Sequence, residues 1–251
     1  MMTRLKLIIA TLLLAVVANS ALAGRIVVNH DEWTLSDTGF ASSPGAGVFT
    51  DNVAQFFSGG GPGNFHAYSN NFGLTQSSLA NAFSVAGHSY STGNGFAFDL
   101  ANLSAFDGIF LAGSTAGVDT SVLVDYVNAG GSVYLGAGTG TFGSAAAEAD
   151  FWNPFLNNFG IGFQTSFNLS QGDLDVSSEP HPIFDGVGTL YENNGNTILE
   201  LVALDPDTSI FFGGRYAVHD SASVIPVPAA FWLFGTALIG FVGYSKRRKE
   251  A

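Results

Sequence analysis

Three consecutive polar residues, His30, Asp31 and Glu32, follow the first predicted strand and are suited to acid–base or binding chemistry. That strand, Arg25 to His30, contains the apolar run Ile-Val-Val. Ligands of open α/β sheets bind just outside the carboxyl ends of such strands. An imidazole and two carboxylates can exchange protons near neutral pH or hydrogen-bond to hydroxyl-rich ligands. We therefore predict a ligand site at these three residues, joined by His181; the alternative is a polar loop whose side chains hydrogen-bond one another.

The motifs of covalent catalysis are missing from the sequence. It contains no cysteine, which excludes thiol nucleophiles, disulfides and thiolate metal sites. A serine hydrolase elbow reads Gly-x-Ser-x-Gly, whereas the two comparable segments have Thr115 and Gly138 at the centre. A Gly-Asp-Leu-Asp segment matches only half of a calcium loop. We therefore predict no catalytic residue, no metal site and no cofactor, and favour a non-catalytic domain over an enzyme.

The charge of residues 24–223 excludes one class of partner. Arg25 and Arg215 are the only basic residues in this range other than histidine, against nineteen Asp and Glu. Contacts to nucleic acid depend on Lys and Arg, so nucleic-acid binding is excluded. Aromatic residues make up 13% of the chain, and disordered chains are poor in them. The range is therefore predicted to fold as one domain with its own core.

Alternating strands and helices are predicted along this range. Asp119 is a suitable N-cap for a helix that begins near Val118, and Gly130-Gly131 would end it. Strand, helix, strand, helix, strand is typical of an α/β domain with a largely parallel sheet. The segment from Asp31 to Gly47, rich in Ser, Gly and Pro, is predicted to be a loop. The predicted strands of the clearest unit are Phe106–Gly113, Ser132–Leu135 and Ile161–Asn168, and its predicted helices cover 118–129 and 144–159.

Several of these segments resemble class I glutamine amidotransferase-like domains, including the ThuA-like branch. The resemblance lies in the order of the strand Phe106–Gly113, the helix end Asp-Tyr-Val-Asn-Ala-Gly-Gly, the segment Asn157–Gly162 and the turn His181–Val187. It implies a flavodoxin-like three-layer α/β sandwich with a mostly parallel sheet. Amidotransferases of this class need a cysteine at a strand-to-helix elbow. Gly138 occupies the comparable turn here, so the resemblance does not extend to that activity.

The N-terminus has the three parts of a secretory signal peptide. Arg4 and Lys6 are basic, Leu7 to Val17 is apolar, and Ala21-Leu22-Ala23 is a small-residue cleavage site. We expect signal peptidase to cut between Ala23 and Gly24. Residues 1–23 are thus predicted to be a signal peptide; the alternative is an uncleaved N-terminal anchor.

The C-terminal residues 224–251 also have three parts in fixed order. The proline motif Pro226-Val227-Pro228 precedes an apolar segment that is predicted to be a single transmembrane helix beginning near Ala229. Basic clusters stay on the cytoplasmic side of a membrane, which places the main domain outside. The alternatives are a plain anchor or a buried core helix. The basic cluster consists of Lys246, Arg247, Arg248 and Lys249.

This tail resembles the PEP-CTERM sorting signal, in the variant Val-Pro-x-Pro-Ala-Ala, with Val227 where the family name implies glutamate. The resemblance implies an exosortase-type enzyme that cuts near the proline motif. It also implies a protein of a Gram-negative-type bacterium that passes through an inner-membrane intermediate to the outer surface or medium and is associated with exopolysaccharide and biofilm. Two functions remain open for residues 24–223. One is a non-catalytic surface or matrix protein, and the other is a ThuA-like domain that binds or acts on carbohydrate at the end of the first strand; an adhesive or ice-binding surface ranks below both.

Overall fold

The computed structural model describes residues 24–202 and 206–221. Within these residues, no helix combines the length and the apolar character that a bilayer crossing needs. The predicted signal peptide, with Ala21 and Ala23, lies outside the described residues. The same holds for the sorting motif, the predicted transmembrane helix and the basic cluster, all of which remain predictions.

Strands and helices alternate along most of the described chain. The strands are β1 (Arg25–Asn29), β2 (Asn64–Ala67), β3 (Ser89–Thr92), β4 (Gly108–Ala112), β5 (Ser132–Gly136), β6 (Ile161–Phe167), β7 (Gln171–Asp175), β8 (Thr189–Asn193), β9 (Asn196–Glu200), β10 (Thr208–Phe211) and β11 (Tyr216–Asp220). The helices are α1 (Asp37–Ser42), α2 (Gly45–Ser58), α3 (Phe72–Thr75), α4 (Ser77–Val85), α5 (Leu100–Leu103), α6 (Thr120–Asn128) and α7 (Ala145–Leu156).

Seven of the strands form one sheet in the order β10-β11-β1-β5-β4-β2-β3. The five strands from β1 to β3 in this order are parallel, whereas β11 and β10 add an antiparallel edge. Two antiparallel pairs, β6 with β9 and β7 with β8, lie outside it. This mixed α/β arrangement with a mostly parallel sheet confirms the predicted class and fits a flavodoxin-like fold.

Apolar residues pack on both faces of the sheet. Ile26 and Val28 belong to a cluster that contains residues of α6 and α7, and Val27 belongs to a second cluster with residues of α2 and α4. All three are completely buried, which explains why the strand is a continuous apolar run instead of an alternating one. The helices that follow β1 and β2 therefore cover one face, and those that follow β4 and β5 cover the other. Loops that diverge in this way leave a crevice at the carboxyl edge of the sheet.

The prediction of a loop from Asp31 to Gly47 is wrong, because α1 and the start of α2 lie within this segment. Ser36 caps α1 by accepting a hydrogen bond from the Gly39 backbone N–H at 3.1 Å. Helix α2 ends at Ser58, and the residue that caps it, Gly59, has a φ of +73°, which glycine adopts at no steric cost. The predicted N-cap Asp119 is confirmed: its carboxylate accepts from the Ser121 backbone N–H at 2.9 Å.

The first and last strands of the described residues are neighbours. Arg25 of β1 lies opposite Asp220 of β11, and its Nε donates to the Asp220 carboxylate at 3.1 Å. The Ser221 hydroxyl donates to the Gly24 carbonyl at 2.8 Å. The two ends of the described chain therefore meet at the amino end of β1.

Candidate functional site at the carboxyl edge of the sheet

His30, the first residue of the predicted site, is completely buried at the end of β1. Its Nε2 lies 3.0 Å from a Glu192 carboxylate oxygen, and Arg215 Nε donates to the same oxygen at 3.0 Å. Its Nδ1 lies 2.9 Å from the Asn168 side-chain nitrogen. Because an amide nitrogen donates, Nδ1 accepts and the Nε2–H is left to donate to Glu192. Both ring nitrogens are therefore engaged in contacts that fasten β1 to distant segments.

Asp31 is also buried and fully engaged. One carboxylate oxygen accepts from the Trp33 backbone N–H at 2.9 Å, and the other accepts from the Asn193 backbone N–H. Burial raises the pKa of Asp31, partly opposed by these two hydrogen bonds and by His30. Its carboxylate thus joins the loop after β1 to the end of β8. For His30 and Asp31, the arrangement corresponds to the alternative of a hydrogen-bonded polar loop.

Glu32 differs from its two neighbours because its side chain is half-exposed. One carboxylate oxygen accepts from the side-chain amide of Asn71, which follows β2. Burial raises the pKa of Glu32 to about 7, the Asn71 hydrogen bond opposes this, and the charge of Asp31 adds to it. The carboxyl group therefore titrates near neutral pH, and it can donate a hydrogen bond when protonated or accept one when ionised. Among the three residues at the end of β1, Glu32 is the one whose side chain solvent can reach.

His181 does not join this site, which corrects the prediction. Its ring packs against Phe56, with centroids 5.5 Å apart, and the Phe56 carbonyl accepts from Arg25 at the start of β1. Helix α2 runs back from the carboxyl edge, so its last turn lies at the amino end of β1. Burial lowers the pKa of His181, opposed by the charges of Asp220 and Asp185. The side chain instead caps the short turn Pro182–Phe184 by accepting from the Ile183 N–H at 3.3 Å.

Glu148, which sequence reasoning missed, contributes a second carboxylate at this edge. It lies in the first turn of α7 and is completely buried. Its carboxylate accepts from the Gly138 N–H at 3.0 Å, the Thr139 N–H at 3.2 Å and the Thr139 hydroxyl at 2.8 Å. Burial raises its pKa to about 7, the three donors oppose this, and the charge of Glu32 adds to it. An acid in the first turn of a helix is a common surface pattern, so the residues around Glu148 do not indicate its burial.

The turn after β5, where an amidotransferase would carry its nucleophile, is closed. Gly138 has a φ of +73°, and a Cβ there would lie 2.8 Å from Gly195 Cα and 3.0 Å from the His30 carbonyl oxygen. No side chain fits in that space. Successive backbone N–H groups in such a turn form a site for an anion, and the Glu148 carboxylate already occupies it.

Polar side chains from the loops after β1, β2 and β5 and from α7 meet at this edge, next to the backbone of the loop after β4. The Thr139 and Thr141 hydroxyls are 3.2 Å apart, and Thr141 accepts from the Ser114 N–H after β4 at 2.9 Å. A Cβ on Gly113 would lie 3.0 Å from the Thr141 hydroxyl and 3.2 Å from the Asn71 amide nitrogen, so these groups surround its backbone. We call Glu32, Asn71, Thr139, Thr141 and Glu148 the strand-end cluster.

A separate groove of about 560 Å³ lies between α2 and α4, and it contains none of the strand-end cluster. Val48, Asp51, Ala82 and Val85 are among its lining residues. Asp51 also faces His88, which precedes β3, at 3.3 Å. The groove is therefore distinct from the site at the carboxyl edge.

Comparison with known proteins gave no relative: no family model, no curated protein and no solved structure matches the chain. The site is therefore interpreted from its own geometry. Across residues 24–202 and 206–221, no group of three or more His, Asp or Glu side chains is placed to hold a metal ion. The strand-end cluster offers hydrogen bonds through Glu32 and Asn71, whereas the adjacent turn has no space for a nucleophile.

Proposed function

We propose that this chain is an exported bacterial surface or extracellular-matrix protein whose flavodoxin-like, three-layer α/β domain is non-catalytic. In this proposal signal peptidase removes residues 1–23, and an exosortase-type enzyme recognises Pro226-Val227-Pro228. The segment after the motif holds an inner-membrane intermediate in the bilayer until it is cut, and the domain then associates with exopolysaccharide in a biofilm.

The closed turn at Gly138 is the observation that carries the non-catalytic part of the proposal. A nucleophile there would need room for a side chain, and the Gly195 and His30 backbones occupy that room. A tetrahedral intermediate would need free N–H donors, and the Gly138 and Thr139 N–H groups are bonded to Glu148. Both requirements of acyl-transfer chemistry are therefore blocked by the chain itself.

The location is supported by the agreement of the two ends of the sequence. The basic residues Arg4 and Lys6 at one end and Lys246 to Lys249 at the other would both remain in the cytoplasm. The residues between the two apolar segments would then lie on the outer side. The strongly acidic residues 24–223 repel anionic polymers. Association with a polysaccharide would therefore use a neutral surface or a bridging cation.

The intact mass of the protein recovered from the cell surface and medium tests the proposal. We expect a mature chain that begins at Gly24 and ends near Pro226–Pro228, and extra mass on the new C-terminus would identify a covalent attachment. A P226A/P228A variant should keep residues 224–251 and stay in the membrane fraction, whereas S223A, just outside the motif, should be processed normally. A surface-exposed wild-type chain that still ends at Ala251 would contradict sorting.

A carbohydrate-binding domain is the second candidate, favoured by the half-exposed Glu32 and its hydrogen bond to Asn71. Binding to a glycan panel should weaken in E32Q and N71A and should be unchanged in D150N, which alters an exposed acid on α7. Equal binding by all four proteins would exclude the strand-end cluster as the ligand site. Turnover of any glycan by the wild type would contradict the non-catalytic proposal.

A further inference from the structure

The dipeptide Asn-Gly occurs twice in the sequence, at Asn94-Gly95 and at Asn194-Gly195. In this dipeptide the backbone nitrogen of glycine can react with the asparagine side chain, because glycine has no side chain to hinder their approach. The nitrogen of Gly attacks the side-chain carbonyl carbon of Asn, a C–N bond forms, the C–Nδ2 bond breaks, and ammonia leaves. Water then opens the resulting five-membered imide to aspartate or to isoaspartate. The net change is the replacement of –NH2 by –OH, with water as the only co-reactant.

The first pair lies where this reaction meets no obstacle. Asn94 and Gly95 are both exposed, in the loop that follows β3. A Cβ on Gly95 would have no other atom within 4 Å, and the same is true of the preceding Gly93. The Gly95 nitrogen can therefore approach the Asn94 side chain without displacing any neighbour.

The second pair has the same two residues in a rigid setting. The Asn194 side-chain oxygen accepts from the Leu169 N–H at 3.2 Å, and its backbone N–H donates to the Ser170 carbonyl at 2.6 Å. Gly195 is buried, and a Cβ there would lie 2.0 Å from the His30 carbonyl oxygen. Rotation of this backbone toward the side chain would break these contacts and collide with β1.

We propose that Asn94 is a site of spontaneous covalent modification, at which the asparagine converts to aspartate and isoaspartate. The fold protects Asn194 from the same reaction. The modification places a new negative charge on the loop after β3. This loop is tied to the end of β2, because the Tyr68 hydroxyl donates to the Phe96 carbonyl at 3.1 Å. The charge therefore accumulates with age at the carboxyl edge of the sheet.

The test is to hold the full-length protein at mildly alkaline pH, once folded and once in denaturant, and to map chymotryptic peptides over time. Cleavage after Tyr90 and Phe96 isolates the first pair, and cleavage after Tyr191 and Leu199 isolates the second. In the folded protein we expect the first peptide to gain the mass of the –NH2 to –OH exchange several-fold faster than the second. In denaturant the two rates should converge.

The G95A variant supplies the matched control, since an added methyl should slow the reaction at Asn94 several-fold and leave Asn194 unchanged. Methylation by an isoaspartate-specific methyltransferase should label the wild-type peptide and not that of G95A. The proposal is overturned if Asn194 reacts as fast as Asn94 in the folded protein. It is equally overturned if Asn94 stays intact in the folded protein over the time in which the denatured chain converts.

Discussion

Two buried glutamates near the end of β1 have opposite pKa shifts. Burial raises the pKa of Glu148 to about 7, although three donors contact its carboxylate. Burial also acts to raise the pKa of Glu192, yet its pKa is lowered, because His30 and Arg215 both donate hydrogen bonds to it and Arg215 adds positive charge. Glu148 is completely buried with three neutral donors, whereas Glu192 keeps some contact with solvent and has two donors, one of them a cation.

The comparison separates two ways in which this fold stabilises a buried carboxylate. Backbone N–H groups and a hydroxyl satisfy the hydrogen-bonding capacity of Glu148 without offsetting the loss of hydration of its charge. The Arg215 guanidinium at Glu192 does both. In a domain whose only basic side chains besides histidine are Arg25 and Arg215, the second way is available at few positions. The Glu148 region is thus stable with a proton bound, and the Glu192 region is stable without one.

Gly138→Ala should give the largest effect on this region, because it forces apart the turn that Glu148 holds. A positive φ costs a non-glycine residue about 1–2 kcal/mol, and the approach of 2.8 Å to Gly195 Cα adds about 1–3 kcal/mol of overpacking. We expect a loss of about 3 kcal/mol in the free energy of unfolding, measured with denaturant. Gly140→Ala, which would have no atom within 4 Å of the new Cβ, should change it by less than about 0.5 kcal/mol. Equal stability of the two variants would show that the turn is not closed.

The pH dependence of stability tests the proton on Glu148. Its folded-state pKa of about 7 lies above the ordinary value of 4.5, so its stabilising effect is complete below pH 4.5 and is lost as the pH rises through 7. The loss is on the order of 2–3 kcal/mol for this group. E148Q should remove most of it, and D150N should not. A wild-type stability that stays constant or rises over this pH range would contradict a protonated Glu148.

Removal of the cation from Glu192 should have a smaller effect. Arg215 and Glu192 are both partly exposed, at 25% and 11% of their side-chain areas, so the pair lies between surface and buried ion pairs. We expect R215M to lose about 1–2 kcal/mol at neutral pH and R215K to retain most of that stability. The lowered pKa of Glu192 contributes stability above pH 4.5 that is lost on acidification, so R215M should also lose less stability in acid. An R215M variant as stable as the wild type would mean that the hydrogen bond with His30 is enough to stabilise the Glu192 carboxylate.

Glu32→Gln should have the smallest effect, because the side chain is half-exposed and solvent reduces the cost of its charge. Above pH 7, where the wild-type carboxyl is ionised, E32Q should be more stable by less than about 1 kcal/mol. At pH 5 the two proteins should be equal within error. Chemical denaturation at both pH values measures the difference, and a destabilised E32Q above pH 7 would show that the fold favours the Glu32 carboxylate.

The position of the candidate site could be predicted from the sequence, because it depends on one local pattern. The apolar run Ile26-Val27-Val28 indicates a buried strand, and whatever follows such a strand lies at the sheet edge. The same logic predicted α6 from Asp119. It failed for α1 and the start of α2, where the Ser, Gly and Pro residues before Val48 suggested a loop; the later part of α2, predicted as a short helix over Asn52–Phe57, is helical.

The partners within the site could not be predicted in the same way. Glu148, Glu192 and Gly195 reach the end of β1 from segments more than a hundred residues away, and nothing in their local sequence distinguishes them from surface residues. Whether Glu32 or His30 is accessible depends on those partners. The position of His181 could not be predicted either, because it depends on the length of α2. Phe56, against which His181 packs, lies in the last turn of α2 at the amino end of β1.

The junction of Gly24 with Ser221 has a consequence for the order in which the chain can fold. Among the described strands β1 comes first in the chain, yet one of its edges is paired only when β11, some 195 residues later by the Arg25–Asp220 contact, has been synthesised. Contacts of such long separation form slowly. Until then the backbone N–H and C=O groups along this edge of β1 are unpaired, and such an edge can pair with another chain and lead to aggregation. A chain interrupted before Tyr216 would lack β11 and leave that edge of β1 unpaired, so we expect such a chain to aggregate.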